Sequence, residues 1–141
     1  YSIALPRAER GGVCRSACAG ALRLFALLML IAAAGAARAD GDAARGEKHF
    51  AECVACHKIE PGANAVGPSL HHVFGRKAGE LGDYRYSPAL KRSGITWTPE
   101  TLDTFLADPQ KVVPANRMPY AGMPDAAERA DLIAYLKQAS Q

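Results

Sequence analysis

The sequence Cys53-Val54-Ala55-Cys56-His57 decides how the rest of this chain is interpreted. Two thiols separated by two residues and followed at once by an imidazole form the C-x-x-C-H pattern, which is typical of covalent haem attachment. The spacing suits that chemistry because each thiol can form a thioether with one vinyl group of the same porphyrin. The next residue then places an imidazole beneath the iron. The motif therefore predicts one haem c bound through Cys53 and Cys56, with His57 as the proximal iron ligand.

Three other interpretations of the cysteine pair remain open at this point. In an oxidising compartment Cys53 and Cys56 could form a disulfide beside an incidental histidine. A thioredoxin-like redox motif would need a βαβ pattern, which the sequence does not show. A zinc site would need a fourth ligand besides Cys53, Cys56 and His57, and the chain has no second C-x-x-C pair.

The first 39 residues differ in composition from the rest of the chain. They hold five Arg and one Glu, a formal charge of +4, whereas residues 40–141 carry a charge of −1. Leu24 to Ala37 is a run of 14 residues without a charge, and Ala37-Arg38-Ala39 resembles a cleavage site. Basic, apolar and small-residue regions in this order predict a secretory signal peptide over residues 1–39. The alternative is an uncleaved membrane anchor, although a bilayer span needs roughly 20 apolar residues.

Residues 40–141 would then be the mature domain. Their near-neutral charge gives no electrostatic footprint for nucleic acid. The whole chain of 141 residues is 49% hydrophobic and 22% charged, which excludes a disordered protein. Export agrees with the C-x-x-C-H motif, because c-type haem is attached outside the cytoplasm. The predicted location is the bacterial periplasm.

Helix start signals recur through residues 40–141. Ser87-Pro88 and Thr98-Pro99 each place a capping residue before a proline at the first helical position. The first predicted helix covers about residues 42–55, and the last begins at Asp125, where Glu128 three residues on predicts a capping box. No segment alternates polar and apolar residues with a period of two. The prediction is an all-α domain with three to five helices and long loops.

Two long segments lack helical periodicity. Residues 57–86 show no sustained period, which is unusual for a loop inside a small domain. Such a loop is acceptable if it wraps a large rigid ligand that acts as its core. Residues 109–124 contain five proline or glycine breaks and predict a rigid extended loop before the last helix.

Five side chains are candidates for a sixth iron ligand: Met118, Met123, His49, His71 and His72. Met118 and Met123 stand in the proline-stiffened loop, far along the chain from His57, and such a loop can cross the opposite haem face. His49 lies eight residues before His57 in the same predicted helix and cannot reach that face. His71 and His72 follow a Gly-Pro turn and are interpreted as loop histidines.

Further motifs accompany C-x-x-C-H over about residues 42–138. In chain order they are Gly46 and Phe50, Gly67-Pro68-Ser69-Leu70-His71, Phe74-Gly75-Arg76-Lys77-Ala78-Gly79, Tyr86, Gly94-Ile95-Thr96-Trp97, Pro109, Arg117-Met118, Ala121-Gly122 and Asp131-Leu132-Ile133-Ala134-Tyr135-Leu136. With these motifs the sequence resembles the class I c-type cytochromes, specifically the cytochrome c2 and mitochondrial cytochrome c group. The resemblance implies the cytochrome c fold, wrapped around one covalently bound haem.

The resemblance also implies roles for matched positions. His57 corresponds to the proximal ligand, and Met118 rather than Met123 corresponds to the distal ligand. The backbone carbonyl of Pro68 would accept the His57 Nδ1–H and fix the imidazole tautomer. The groups that bond the buried haem propionates fall on Arg76, Tyr86 and Trp97. Gly46 and Phe50 match the face of the first helix that meets Leu132 and Tyr135 on the last.

The sequence departs from the family around the methionine. Phe105 stands where many relatives have a Tyr that bonds the methionine sulfur, Leu90 replaces an Asn, and Asn116 occupies a position that is usually Thr. These changes predict a drier methionine side of the haem.

Mitochondrial relatives also ring the haem edge with lysines. The positions at or near that ring here are Glu52, Gln110, Pro124, Asp125 and Ala126, and only Lys111 and Arg117 remain basic.

The function that the resemblance implies is a soluble one-electron carrier, not an enzyme. It would be a monomer that shuttles electrons in a respiratory or photosynthetic chain. Its partners would be a bc1-type complex, a terminal oxidase, a reaction centre or a periplasmic dehydrogenase. The alternative is a haem module with an open iron site that binds a gas or acts as a weak peroxidase. Cytochrome c′ bundles of that kind carry C-x-x-C-H near the C-terminus, whereas here it begins 14 residues into the predicted mature chain.

Overall fold

The computed structural model describes residues 41–141, so the predicted signal peptide over residues 1–39 lies outside the described residues. The helices of the described part are α1 (Ala43–Phe50), α2 (Pro88–Arg92), α3 (Pro99–Ala107), α4 (Pro109–Val112) and α5 (Ala126–Ala139). Over residues 41–141 there is no β-strand beyond one isolated antiparallel bridge between Lys77 and Thr96. The prediction of an all-α fold is confirmed. None of the helices in this range combines the length and apolar character needed to traverse a lipid bilayer.

The helices begin at the capping residues that the sequence indicates. The Ser87 hydroxyl accepts the N–H of Leu90, and Pro88 follows at the first helical position. Thr98 and Thr101 form a reciprocal capping box, since each side chain accepts the other's backbone N–H. A complete capping box is thus present at the start of α3. At α5 the Asp125 carboxylate caps the helix by accepting the N–H groups of the first turn.

The predicted end of the first helix is wrong by about five residues. α1 ends at Phe50, and residues 51–56 form a series of turns instead. The Cys53 N–H donates to the Phe50 carbonyl at 2.8 Å, and the Cys56 N–H donates to the Cys53 carbonyl at 3.0 Å. These bonds span three residues, which tightens the chain relative to an α-helix. The His57 N–H also returns to the Cys53 carbonyl, so the whole motif is held in compact turns.

The prediction of a wholly extended loop over residues 109–124 is also wrong in part. Pro109 opens the four-residue helix α4. Proline suits the first helical position because its fixed φ is helical and its missing N–H has no helical partner to lose. Asp108 provides the cap, and its carboxylate accepts the Lys111 N–H at 3.0 Å. The rest of the segment, up to Asp125, is loop.

The N-terminal helix α1 packs against the C-terminal helix α5. A Cβ built on Gly46 would lie 2.0 Å from the Asp131 carbonyl oxygen, so the two helix backbones touch at this glycine. The ring of Phe50 lies 5.3 Å from the ring of Tyr135. Leu132 is fully buried beside them. This is the contact that the resemblance implies for Gly46 and Phe50.

Residues 57–86 contain no helix, as the sequence predicts. Backbone hydrogen bonds hold the segment in place: Gly67 donates to the Cys56 carbonyl at 2.8 Å, and Leu70 donates to the Lys58 carbonyl at 2.7 Å. The Ser69 N–H donates to the Asn64 side chain at 2.9 Å. The loop therefore folds back on the C-x-x-C-H turns and forms one wall of a cavity.

Candidate haem site

One cavity collects the residues that the sequence singles out. Its lining includes Cys53, Cys56, His57, Pro68, Arg76, Tyr86, Trp97 and Met118. They come from the turns after α1, the loop over residues 57–86, the segment before α3 and the loop between α4 and α5. Apolar side chains fill the wall between them: Leu70, Val73, Leu90, Leu102, Phe105, Leu106, Leu132 and Leu136. A largely apolar wall with a few convergent polar groups suits a large planar apolar ligand.

Both cysteines of the motif are half-buried, carry free thiols and face this cavity. Burial raises the pKa of the Cys53 thiol to about 11, and the neighbouring Glu52 adds to the effect. The thiol is therefore protonated at neutral pH before attachment. Two thiols on one cavity wall, three residues apart in tight turns, fit thioether attachment to a single porphyrin.

His57 is held in one tautomer. Its Nδ1 lies 2.8 Å from the Pro68 carbonyl oxygen. A carbonyl can only accept, so Nδ1 carries the hydrogen and Nε2 keeps its lone pair. Burial lowers the pKa of His57, although the bond to Pro68 opposes the shift. The site therefore holds a neutral imidazole, which is the form that binds a metal.

Gly67 is a site residue that sequence reasoning did not assign a role. A Cβ built there would lie 2.5 Å from Cε1 of His57, so the imidazole packs directly on the Gly67 backbone. Only glycine leaves room for the ring in this place. The Gly67-Pro68 pair was visible as a turn signal, but the sequence does not show which side chain rests on it.

Polar side chains gather at another part of the cavity wall. Arg76 donates to the Ser69 carbonyl at 2.8 Å and to the His71 carbonyl at 2.9 Å. Burial lowers the pKa of Arg76. Tyr86 and Trp97 are both buried, and burial also raises the pKa of Tyr86, which Arg76 opposes. This part of the wall thus holds one guanidinium and two neutral side chains that can donate hydrogen bonds.

The two methionines occupy different environments. Met118 is half-buried and lines the cavity. Met123 is 4% exposed, lies in the hydrophobic core and does not line the cavity. Its N–H donates to the Leu106 carbonyl at 2.8 Å, which fixes its loop against α3.

The histidine candidates also lie apart from the cavity. Of the four described histidines, only His57 lines it. His71 and His72 pack on each other, with ring centroids 3.9 Å apart. His49 lies on α1, before the motif turns. Among the five candidates for a sixth ligand, Met118 is the one that reaches the cavity.

Apolar side chains stand at two of the positions where the sequence departs from the family. Phe105 is 6% exposed and packs edge-on against Trp97, with ring centroids 5.0 Å apart. Leu90 adds another apolar side chain. The side-chain amide of Asn116 makes hydrogen bonds to backbone groups only: it donates to the Pro109 and Val113 carbonyls and accepts the Met118 N–H. The drier methionine side of the haem stays a prediction.

The exposed residues that line the cavity opening form a surface that we call the cavity mouth: Glu52, Val66, Arg85, Arg117 and Pro119. It mixes acidic, basic and apolar side chains. Val66 is 71% exposed. The Tyr120 hydroxyl donates to Glu52 Oε2 at 3.3 Å, and burial with this nearby carboxylate raises the pKa of Tyr120 to about 12. Gln110, Asp125 and Ala126 are exposed as well.

Sequence reasoning also missed the leucines of the cavity wall. Leu102 and Leu106 on α3, like Leu132 and Leu136 on α5, are four residues apart and share a helix face. That spacing was a visible signal, since it places both leucines of each pair on one side. What it could not show is that the face meets a cavity as well as other side chains.

Comparisons with known proteins point to one family. The family model described as Cytochrome c matches residues 43–140. The chain is 46% identical over 112 residues to cytochrome c2 of Blastochloris viridis, covering 79% of this chain and 88% of the relative. It is 50% identical over 88 residues to cytochrome c2 iso-2 of Magnetospirillum fulvum, covering 62% and 92%. Among solved structures, cytochrome cH from Methylobacterium extorquens is 52% identical with a TM-score of 0.65, covering 70% of this chain and 99% of that chain.

An all-α fold around a cavity whose wall carries C-x-x-C-H defines a c-type haem protein. The chain belongs to the cytochrome c family, and it resembles the cytochromes c2 within that family. It binds one haem c covalently, through Cys53 and Cys56. The zinc and thioredoxin-like interpretations of the cysteine pair are therefore wrong. As a c-type cytochrome of this kind, the protein carries electrons.

Proposed function

We propose that this cytochrome is a one-electron carrier whose haem iron is held by His57 and Met118. The observation that carries the proposal is that both side chains line one cavity, while Met123, His49, His71 and His72 do not. His57 offers a free Nε2 lone pair because its Nδ1–H is engaged by Pro68 at 2.8 Å. Met118 is presented by a loop anchored to α4.

The residues around the site have complementary tasks. When bound, the haem supplies an iron that accepts and releases one electron. The bond from His57 to Pro68 fixes the tautomer and the orientation of the imidazole, while burial lowers its pKa and favours the neutral ring. The Met118 thioether is a soft ligand that favours ferrous iron and raises the reduction potential. If His57 and Met118 both hold the iron, the chain itself would occupy the coordination sites that a substrate needs, which favours a carrier over an enzyme.

Arg76, Tyr86 and Trp97 would bind the haem propionates. A carboxylate that enters a buried wall needs a cation or hydrogen-bond donors in place of water. The wall offers the Arg76 guanidinium together with the Tyr86 hydroxyl and the Trp97 indole N–H, all at one cavity. Arg76 is itself held by the Ser69 and His71 carbonyls, so it is oriented before the ligand arrives.

The cellular setting follows from the sequence and from the relatives. We place the domain of residues 40–141 in the bacterial periplasm as a soluble monomer, after export directed by residues 1–39. The partners are membrane redox complexes of a respiratory or photosynthetic chain: a bc1-type complex, a terminal oxidase, a reaction centre or a periplasmic dehydrogenase. Relatives at 46–50% identity that are named cytochrome c2 support this role. Electrons would pass at the cavity mouth, where partners can approach.

The test is the coordination state of the purified holoprotein. The absorption and magnetic spectra of the oxidised protein should be those of low-spin, six-coordinate iron. The reduced protein should bind carbon monoxide slowly and weakly. It should also cycle repeatedly between two redox states by one electron. A high-spin oxidised spectrum with rapid carbon monoxide binding would instead establish the open iron site of a gas-binding or peroxidase module.

A further inference from the structure

Asn116 is a buried amide that the loop containing Met118 is built around. It is 7% exposed, and it lies two residues before Met118. Its Nδ2 group donates to the Pro109 carbonyl at 2.8 Å and to the Val113 carbonyl at 2.9 Å. Its Oδ1 accepts the N–H of Met118 at 2.9 Å. Both amide hydrogens and the amide oxygen are therefore used, and every partner is a backbone group.

These three bonds connect α4 to Met118. Pro109 is the first residue of α4, and Val113 directly follows its last residue. One side chain thus ties both ends of the short helix to the N–H of Met118. Because four residues alone form a marginal helix, the helix and the loop stabilise each other through this amide.

Two neighbouring features reinforce the arrangement. Ala115 has φ of 63°, a left-handed conformation that costs energy for a residue with a Cβ and persists only where the surroundings impose it. The Gln110 side chain donates to the Met118 carbonyl at 3.2 Å. Both backbone polar groups of Met118 are therefore held by side chains that belong to α4 or to its C-terminal loop.

From this geometry we infer that Asn116 is a positioning residue that seats Met118 at the cavity through the Met118 backbone. The inference rests on the proposed ligand role of Met118. It also accounts for Phe105, which has no hydroxyl to offer the methionine sulfur. In this chain the methionine is held by bonds to its own N–H and carbonyl.

The experiment measures how fast imidazole displaces Met118 from the iron of the oxidised holoprotein. Asn116→Ala removes all three bonds, and the displacement should become about tenfold faster or more, because a buried hydrogen bond is lost without a replacement partner. Hydrogen exchange of the Met118 N–H should accelerate in the same variant. Thr104→Ala is the control, since the exposed Thr104 hydroxyl also donates to a backbone carbonyl, that of Glu100 at 2.9 Å, and Thr104 does not line the cavity. It should change neither readout.

Asn116→Asp keeps the size of the side chain and the acceptor for Met118, but it loses both donors to α4. This variant should also accelerate the displacement of Met118 by imidazole. It provides the test if the Asn116→Ala variant does not assemble as a holoprotein. Unchanged displacement and exchange in these variants overturn the inference. Met118→Ala separates this failure from failure of the proposed function: if it leaves the imidazole affinity and the sulfur-to-iron charge-transfer band unchanged, the ligand assignment itself is wrong.

Discussion

Gly46 on α1 and Asp131 on α5 lie in backbone contact: a Cβ built on Gly46 would stand 2.0 Å from the Asp131 carbonyl oxygen. The same aspartate joins the two helices through its side chain. Its carboxylate accepts Arg45 Nε at 2.6 Å, Arg45 Nη2 at 2.9 Å and the Asp42 N–H at 2.6 Å. These contacts hold α1 against α5 just before the C-x-x-C-H turns begin. They therefore help to position the motif.

Gly46→Ala should destabilise the holoprotein strongly. The added methyl meets backbone atoms, which cannot rotate away, so α1 must shift away from α5. We expect the free energy of unfolding to fall by about 2–4 kcal/mol, measured by chemical denaturation. Gly82→Ala is the matched control, because a Cβ there has nothing within 4 Å. An equal loss in both variants would contradict the account of the helix contact.

The Asp131 carboxylate should make the stability depend on acid pH. The hydrogen bond from Arg45, and then the Asp42 N–H, hold the pKa of Asp131 below its usual range. A lowered folded-state pKa means that the contribution is fully present above the unfolded pKa, roughly 4, and is lost as the pH falls through the folded value.

Asp131→Asn should therefore be less stable than the wild type at pH 7 and should lose less stability between about pH 5 and pH 2. Arg45→Gln should flatten the acid limb in the same way, and the double variant should add little to either single one. Denaturant titrations at a series of pH values measure this. A wild-type acid limb that persists unchanged in Asp131→Asn would show that other groups control it.

Folding of the domain should depend on haem. Residues 57–86 have no helix, and many of the buried apolar side chains line the cavity as well as packing on one another. The Cys53→Ala, Cys56→Ala double variant, prepared without haem, should show little helical signal in circular dichroism. A cooperative, native-like thermal transition in that apoprotein would contradict this prediction.

Electron transfer to partners should depend only weakly on salt. Residues 40–141 carry a formal charge of −1, and the cavity mouth mixes acidic, basic and apolar side chains. Little long-range steering exists for salt to screen, so the second-order rate constant with a bc1-type complex should change by less than about threefold across moderate ionic strength. A steep decline would reveal a basic patch.

Restoring positive charge supplies the control for that experiment. Ala126→Lys places a cation at an exposed position at or near the ring of lysines that the resemblance to mitochondrial relatives implies. If the exposed haem edge is the docking surface, this variant should gain salt dependence with the same partner. If the salt dependence does not increase, the docking surface lies elsewhere.

The parts of the fold that the sequence predicts are those with local physical causes. Ser87, Thr98 and Asp125 cap helices because a short polar side chain before a helical run satisfies free N–H groups. The C-x-x-C-H motif is recognisable because covalent attachment dictates its spacing. Gly46 could be assigned to the helix contact only through the resemblance, since its clash partner lies 85 residues away in the chain.

The parts that it does not predict depend on tertiary contacts. α1 stops at Phe50, where the N–H groups of residues 51–53 turn to carbonyls three residues back, and the sequence carries no helix breaker there. Asp108 serves both as the residue after α3 and as the cap of α4, so one Asp-Pro pair ends one helix and begins another. The packing of His57 on Gly67 and the three bonds of Asn116 likewise join residues whose contact no local pattern reveals.

The central claim is that Met118 ligates the iron opposite His57, and the near-infrared sulfur-to-iron charge-transfer band of the oxidised holoprotein tests it most directly. Met118→Ala should abolish the band, lower the reduction potential and open the iron to carbon monoxide. Met123→Leu, which roughly conserves volume in the core, should leave the band intact. A band that survives in Met118→Ala and disappears in Met123→Leu would contradict the account.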